Sequence, residues 1–166
     1  VNKDKVRKAY DKWKYSINSK ENLLLENKPK FDEYLHNAIG NPTVALEFLR
    51  QLCLLSRSED ARPFLEENLL ILVEAADLLL PEGEISRLSV PDRHRISIVQ
   101  DWFLDPTFVD AKDAVIFISE SKSLLNSQIS RLPQVISVEI PAPDMIARQH
   151  FISWFNQKQN AADSSL

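Results

Sequence analysis

Asn68-Leu69-Leu70-Ile71-Leu72-Val73-Glu74-Ala75-Ala76-Asp77-Leu78-Leu79-Leu80-Pro81-Glu82-Gly83-Glu84 is the stretch on which the fold turns. An apolar run, Leu69 to Val73, stops at a carboxylate, and Pro81 and Gly83 then break the chain. A parallel strand covered on both faces reads as such an unbroken run, and it brings polar groups to the edge of its sheet. The run therefore predicts a buried strand over 69–74 that ends in Glu74.

The pattern recurs downstream. Ala114-Val115-Ile116-Phe117-Ile118 predicts another buried strand, with Glu120 just past its end, and Val135–Ile140 predicts a further one. Asn22–Leu25 is a short strand candidate upstream. Helical spacing fills the intervals. Val6, Tyr10, Trp13 and Ile17 make one apolar stripe between about Lys3 and Ile17, and Phe31–Ala38 reads as one or two helical turns. Asn41-Pro42 caps and opens a helix that runs to about Ser56, burying Ala45, Phe48, Leu49, Leu52 and Leu55. Pro91 opens another that turns Ile96, Val99, Trp102 and Phe103 inward. Pro143-Asp144 starts the last, with Ala147, Phe151, Trp154 and Phe155 on one side. Strands separated by helices predict an α/β fold, a three-layer parallel sheet with helices on both faces. We expect one domain over residues 1–160 and a disordered polar tail over 161–166.

Composition narrows the function. A hydrophobic share of 44% and a charged share of 27% suit an ordinary globular domain with its own core. No apolar run reaches the roughly 20 residues of a membrane helix, and no signal-peptide pattern is present, so no membrane is expected. A lone cysteine, Cys53, sits among leucines, which predicts a core thiol and a reducing, cytoplasmic setting. Residues 1–20 carry seven basic and two acidic side chains, with aromatic residues interleaved. The apolar stripe through them makes a solvated amphipathic helix the simpler account, so nucleic acid is not an expected partner.

The glycine count excludes more. Gly40 and Gly83 are the only two glycines, so neither GxxxxGK[ST] nor GxGxxG can be built from this chain. His36, His94 and His150 have no partner at metal-ligand spacing, and no G-x-S-x-G elbow exists. Chemistry is left to the carboxyl ends of two strands. Ligands of open α/β sheets bind at such ends, so Glu74 and Glu120 could hold a magnesium ion or orient a water, or could be solvated where the strands emerge. Asp77 could instead fix the turn after its strand.

Four pieces in order resemble the later part of an AAA+ ATPase module. Ile71-Leu72-Val73-Glu74-Ala75-Ala76-Asp77 looks like the Walker B strand, and Val115-Ile116-Phe117-Ile118-Ser119-Glu120-Ser121 looks like the sensor 1 strand. Ile129-Ser130-Arg131-Leu132-Pro133 lies where the family often carries its arginine finger. Glu139-Ile140-Pro141-Ala142-Pro143-Asp144, followed by Arg148 and Phe151, is similar to the entry into the family's lid helices. The span from Asn68 to Phe155 covers a little over half the chain. The resemblance implies a P-loop NTPase-like sheet, Walker B-like roles for Glu74 and Asp77, with Glu74 toward magnesium, and sensor 1-like roles for Glu120 and Ser121. It implies an arginine-finger-like role for Arg131 and nucleotide contact by Arg148.

The departures matter as much. Glu74 stands for the usual aspartate, Ala75 for the glutamate that polarises water, and Ser121 for the sensor asparagine. Loss of one such electrostatic donor costs about 3–4 kcal/mol of barrier. The central strand that precedes a phosphate loop has no counterpart between Val1 and Asn41. Its loss would uncover surface worth on the order of 10 kcal/mol, against a whole-domain stability of about 5–15 kcal/mol. Residues upstream of Val1, another chain or a rearranged sheet must fill the gap. The expectation is a degenerate AAA+ domain, non-hydrolytic alone, that assembles with itself, a partner or an active ATPase domain. ATP and magnesium would enter only with an upstream or partner phosphate loop. Two alternatives are a fragment of an active ATPase whose phosphate loop lies upstream and an unrelated α/β interaction module.

Overall fold

The computed structural model describes residues 2–21, 31–55 and 64–163. Contacts divide the chain into two compact units, Val1–Ile136 and Ser137–Leu166.

The first unit begins with three helices, α1 (Lys3–Glu21), α2 (Phe31–Ala38) and α3 (Pro42–Cys53). Val6, Tyr10 and Trp13 are buried, as the stripe on α1 requires, while the side chain of Ile17 lies outside those described. Tyr10 is the hub of this cluster. Its ring lies 5.5–5.8 Å from those of Phe48, Trp13 and Phe31, and its hydroxyl donates to Gln51 Oε1 at 2.9 Å. Burial raises the Tyr10 pKa above its ordinary value, because a phenolate has no water there to solvate it. Lys14 shifts down for the same reason, with its ammonium 4.8 Å from the Trp13 ring centroid. Part of the basic charge of α1 is spent internally, Lys5 on Glu67 and Arg7 on Asp4 and Asp32. The α3 start is as read: the Asn41 side chain accepts from Val44 N–H, and Pro42 sits in the first turn.

Strand β1 (Leu70–Val73) follows, then a single turn α4 (Ala76–Leu79), helix α5 (Val90–Leu104) and a turn α6 (Pro106–Val109). Strand β2 (Ala114–Phe117) lies parallel to β1, with Leu70 beside Ala114 and Val73 beside Phe117. The register is anchored by Asp113, nearly buried, whose Oδ1 accepts from Leu69 N–H at 2.7 Å, next to the Ala114 N–H bond to Leu69 O. Ser89 caps α5 by accepting from Asp92 N–H, and Pro91 occupies its first turn. Ile96, Val99, Trp102 and Phe103 are all buried, and they pack with Ile71 and Val73 of β1 and Val115 and Phe117 of β2. The Phe103 and Phe117 rings stack at 5.4 Å.

The sheet departs from expectation in two ways. Both strands read as covered on two faces, yet Leu70, Leu72, Ile116 and Ile118 on the second face are 63%, 60%, 45% and 48% exposed. Residues 135–140 form no strand. Their β propensity is high, but a strand exists only where a neighbour accepts its ladder, and among the described residues the sheet holds β1 and β2 alone. The strand candidate Asn22–Leu25 lies outside the described residues.

A 3₁₀ turn (Lys122–Leu124) and the short α7 (Ser127–Ser130) complete the first unit. The second unit carries α8 (Met145–Asp163), which starts where Pro143-Asp144 predicts; Asp144 Oδ1 accepts from Ala147 N–H at 2.7 Å. Its Phe151, Ile152, Trp154 and Phe155 are exposed. The polar tail expected over 161–166 falls partly on α8 and partly, from 164 on, outside the described residues.

Candidate functional site

Pairing of the strands continues past their formal ends. Ile118 N–H donates to Val73 O, and Ala76 N–H donates to Ile118 O, both at 2.9 Å. The chain must therefore turn sharply between β1 and α4, and Ala75 does so in the left-handed region, φ 50°, ψ 45°. It is the non-glycine residue with positive φ among those described. Such a backbone costs an L-residue about 1–2 kcal/mol. The small side chain of Ala75 stays at the surface while Ala76 is fully buried.

That turn lines a cleft of about 400 Å3 with Asp77, Leu78, Ile118, Ser119 and Glu120. Asp77 and Glu120 thus line one cleft at the carboxyl ends of the two strands. Glu74, the residue singled out for magnesium, is exposed and is not part of the lining. Among the described residues no group of three or more His, Cys, Asp and Glu side chains could hold a metal ion.

A second cleft, about 550 Å3, is lined by Lys122, Arg131, Glu82 and the serines 121, 123, 127 and 130. Glu120 and Ser121, neighbours in sequence, therefore face different clefts. The walls are tied together by an antiparallel bridge between Pro81 and Leu125 and by Glu82 N–H donating to Leu124 O. Asn126 is the central tie. Fully buried, its side-chain N–H groups donate to Pro81 O at 3.0 Å and Gly83 O at 3.4 Å. Its Oδ1 caps α7 by accepting from Gln128 N–H at 3.0 Å, and its own backbone N–H donates to Leu80 O. Sequence reasoning passed over Asn126. The available signal was an asparagine directly before a short helical turn, the ordinary N-cap pattern. Glu82 accepts from Ser127 N–H at 2.6 Å, which occupies one of its carboxylate oxygens.

Arg148 belongs to the second unit, where its Nε donates to Asp144 O at 3.3 Å and its backbone N–H to the same oxygen at 3.0 Å. In this structure its guanidinium is engaged in closing the first turn of α8. No helix among the described residues is long and apolar enough to cross a membrane.

A family model described as AAA+ chaperone, N-terminal Rossmann-like domain, matches residues 5–141. No curated protein and no solved structure matches the chain.

Proposed function

Because the chain belongs to the family of AAA+ chaperone N-terminal Rossmann-like domains, we propose that it is a partial AAA+ module that does not hydrolyse ATP alone and acts by assembly with a partner or an active ATPase domain. The bare sheet face carries this reading. Four apolar side chains, Leu70, Leu72, Ile116 and Ile118, keep about half of their surface in water while the opposite face is packed. Covering them is worth about 1 kcal/mol each, or ~4 kcal/mol together. Parallel sheets are covered on both faces as a rule, so this face is where a helical layer from elsewhere belongs. The three-layer P-loop arrangement would follow from that addition.

The chemistry of the first cleft supports the same reading. Ala75 has no carboxylate to polarise a water, and the chain's two glycines cannot form a phosphate-cradling loop. The donor set for a magnesium–nucleotide is incomplete here, so Glu74, Asp77 and Glu120 are read as ancestral positions. Arg131, exposed on the second cleft and away from the first, is suited to reach a neighbour's nucleotide. The bare face equally suits a phosphate loop upstream on the same polypeptide; Ala75 favours the non-hydrolytic version. Family membership sets aside the unrelated α/β module.

The test replaces Leu72 by Glu. Leu72 is already 60% exposed, so the isolated chain should keep its stability within about 0.5 kcal/mol. Association, followed by light scattering with a P-loop-bearing partner, should be lost. Unchanged association, or ATP turnover by the wild-type chain alone, would sink the reading.

A further inference from the structure

We propose that the bare sheet face takes helix α8 of a second copy of this chain, in a two-fold dimer that makes this contact twice. Exposure alternates along both strands, so Leu70, Leu72 and Glu74 share one face with Ile116, Ile118 and Glu120. That face is an apolar stripe ending in two carboxylates at the carboxyl ends of the strands. Its counterpart is α8, where Arg148, Phe151, Ile152 and Phe155 recur at helical spacing and are all exposed. The Phe151 ring lies 5.8 Å from that of Trp154 and 6.2 Å from that of Phe155, so these aromatic residues form one continuous surface.

Charge selects this occupant. Between Asp144 and Asp163 the sequence of α8 carries Arg148, His150 and Lys158 and no acid, whereas the bare face brings Glu74 and Glu120. Helices that cover a parallel sheet run antiparallel to its strands. In that direction Arg148 and the positive end of the α8 dipole arrive at the strand ends where the two glutamates stand. The lengths agree: Leu70 to Glu74 spans about 13 Å of strand, and Arg148 to Phe155 about 10 Å of helix. One sheet–helix contact buries on the order of 400 Å2 on each partner, about half of the ~800 Å2 of a standard interface. A two-fold pair makes the contact twice and reaches that size, and its symmetry closes the assembly at two copies.

The inference rests on the assembly reading of that face and names its occupant. The experiment is sedimentation equilibrium of the full 166-residue chain. A reversible dimer is expected. Leu72→Glu and Phe155→Glu change exposed residues, one on each side of the contact, and each alone should weaken the dimer at least tenfold. An equimolar mixture of the two variants keeps one intact sheet and one intact helix, so heterodimers should return in part. Glu74→Lys should weaken the dimer about threefold to tenfold, and Arg148→Glu in the same chain should restore it. A wild-type chain that stays monomeric, a dimer that survives either single variant, a mixture that recovers nothing or a charge swap that restores nothing overturns the proposal. A monomer whose association with a P-loop-bearing partner is still abolished by Leu72→Glu would end this inference and leave the assembly reading standing.

Discussion

Replacing Asn126 by Ala tests how the second cleft is held. The wild-type side chain is fully buried and makes three contacts, donating to Pro81 O at 3.0 Å and Gly83 O at 3.4 Å and accepting from Gln128 N–H at 3.0 Å. Loss of the cap costs about 1 kcal/mol. The Pro81 carbonyl loses its side-chain donor in a half-buried position, worth a further 1–3 kcal/mol or so. The Gly83 contact is long and its residue exposed, so water replaces it at little cost. The total is about 2–4 kcal/mol, a large part of the 5–15 kcal/mol typical of a domain. Urea denaturation followed by tryptophan fluorescence reads it, since Trp13 and Trp102 sit in the two separate core clusters. Asn126→Asp retains the cap acceptor but cannot donate, and it sets a buried charge against the Pro81 carbonyl, so it should cost at least as much. A loss below about 1 kcal/mol in both variants would refute the account of Asn126 as the tie between residues 80–83 and 121–130.

Other outcomes follow from the same geometry. The raised Tyr10 pKa means that the folded chain keeps a proton that the unfolded chain releases above pH 10, so stability should fall as pH rises beyond that value. Tyr10→Phe removes this alkaline loss at a cost of about 1 kcal/mol near neutrality for the Gln51 bond, and pH-dependent urea melts that stay parallel to wild type would contradict it. Lys14, shifted down, contributes the opposite slope below its ordinary 10.5, so Lys14→Met should steepen the alkaline loss in the same melts. Ala75→Gly should be neutral or stabilising by up to ~1 kcal/mol, because relief of the left-handed backbone offsets the entropy of glycine. A destabilisation of the ordinary helix-interior size would mean that Ala75 carries no strain. Asp113→Ala should cost about 1.5–3 kcal/mol by freeing Leu69 N–H, and hydrogen exchange at residues 69–73 should accelerate selectively.

Much of the fold was legible in residue order because its causes are local. The apolar runs placed β1 and β2 to within a residue or so, and the Asn41 cap, Pro91 and Pro143-Asp144 placed three helix starts. Helical spacing named Ile96, Val99, Trp102 and Phe103 as core, and each is buried. Glu74 and Glu120 were read together as the acids at the strand ends, whereas the structure lines one cleft with Asp77 and Glu120. Residues 135–140 misled, since β propensity reports a side chain's fit to a sheet and says nothing of whether a neighbouring strand exists. Glu74, last in the apolar run, is exposed and is not among the residues that line the cleft.

By itself the sequence determined the family, the helix starts, the parallel pair of strands and, through its two glycines, that neither GxxxxGK[ST] nor GxGxxG can be built from these residues. These depend on a few adjacent residues, where periodicity, capping and side-chain chemistry are already decided. Only the tertiary structure decided which sheet face is bare, that Glu120 and Ser121 part into different clefts, and that Asn126 holds the second cleft together. Those outcomes rest on contacts between residues more than 40 apart, Leu69 with Asp113 and Pro81 with Asn126. Such pairings are selected by the packing of the whole unit and leave no periodic trace in the chain.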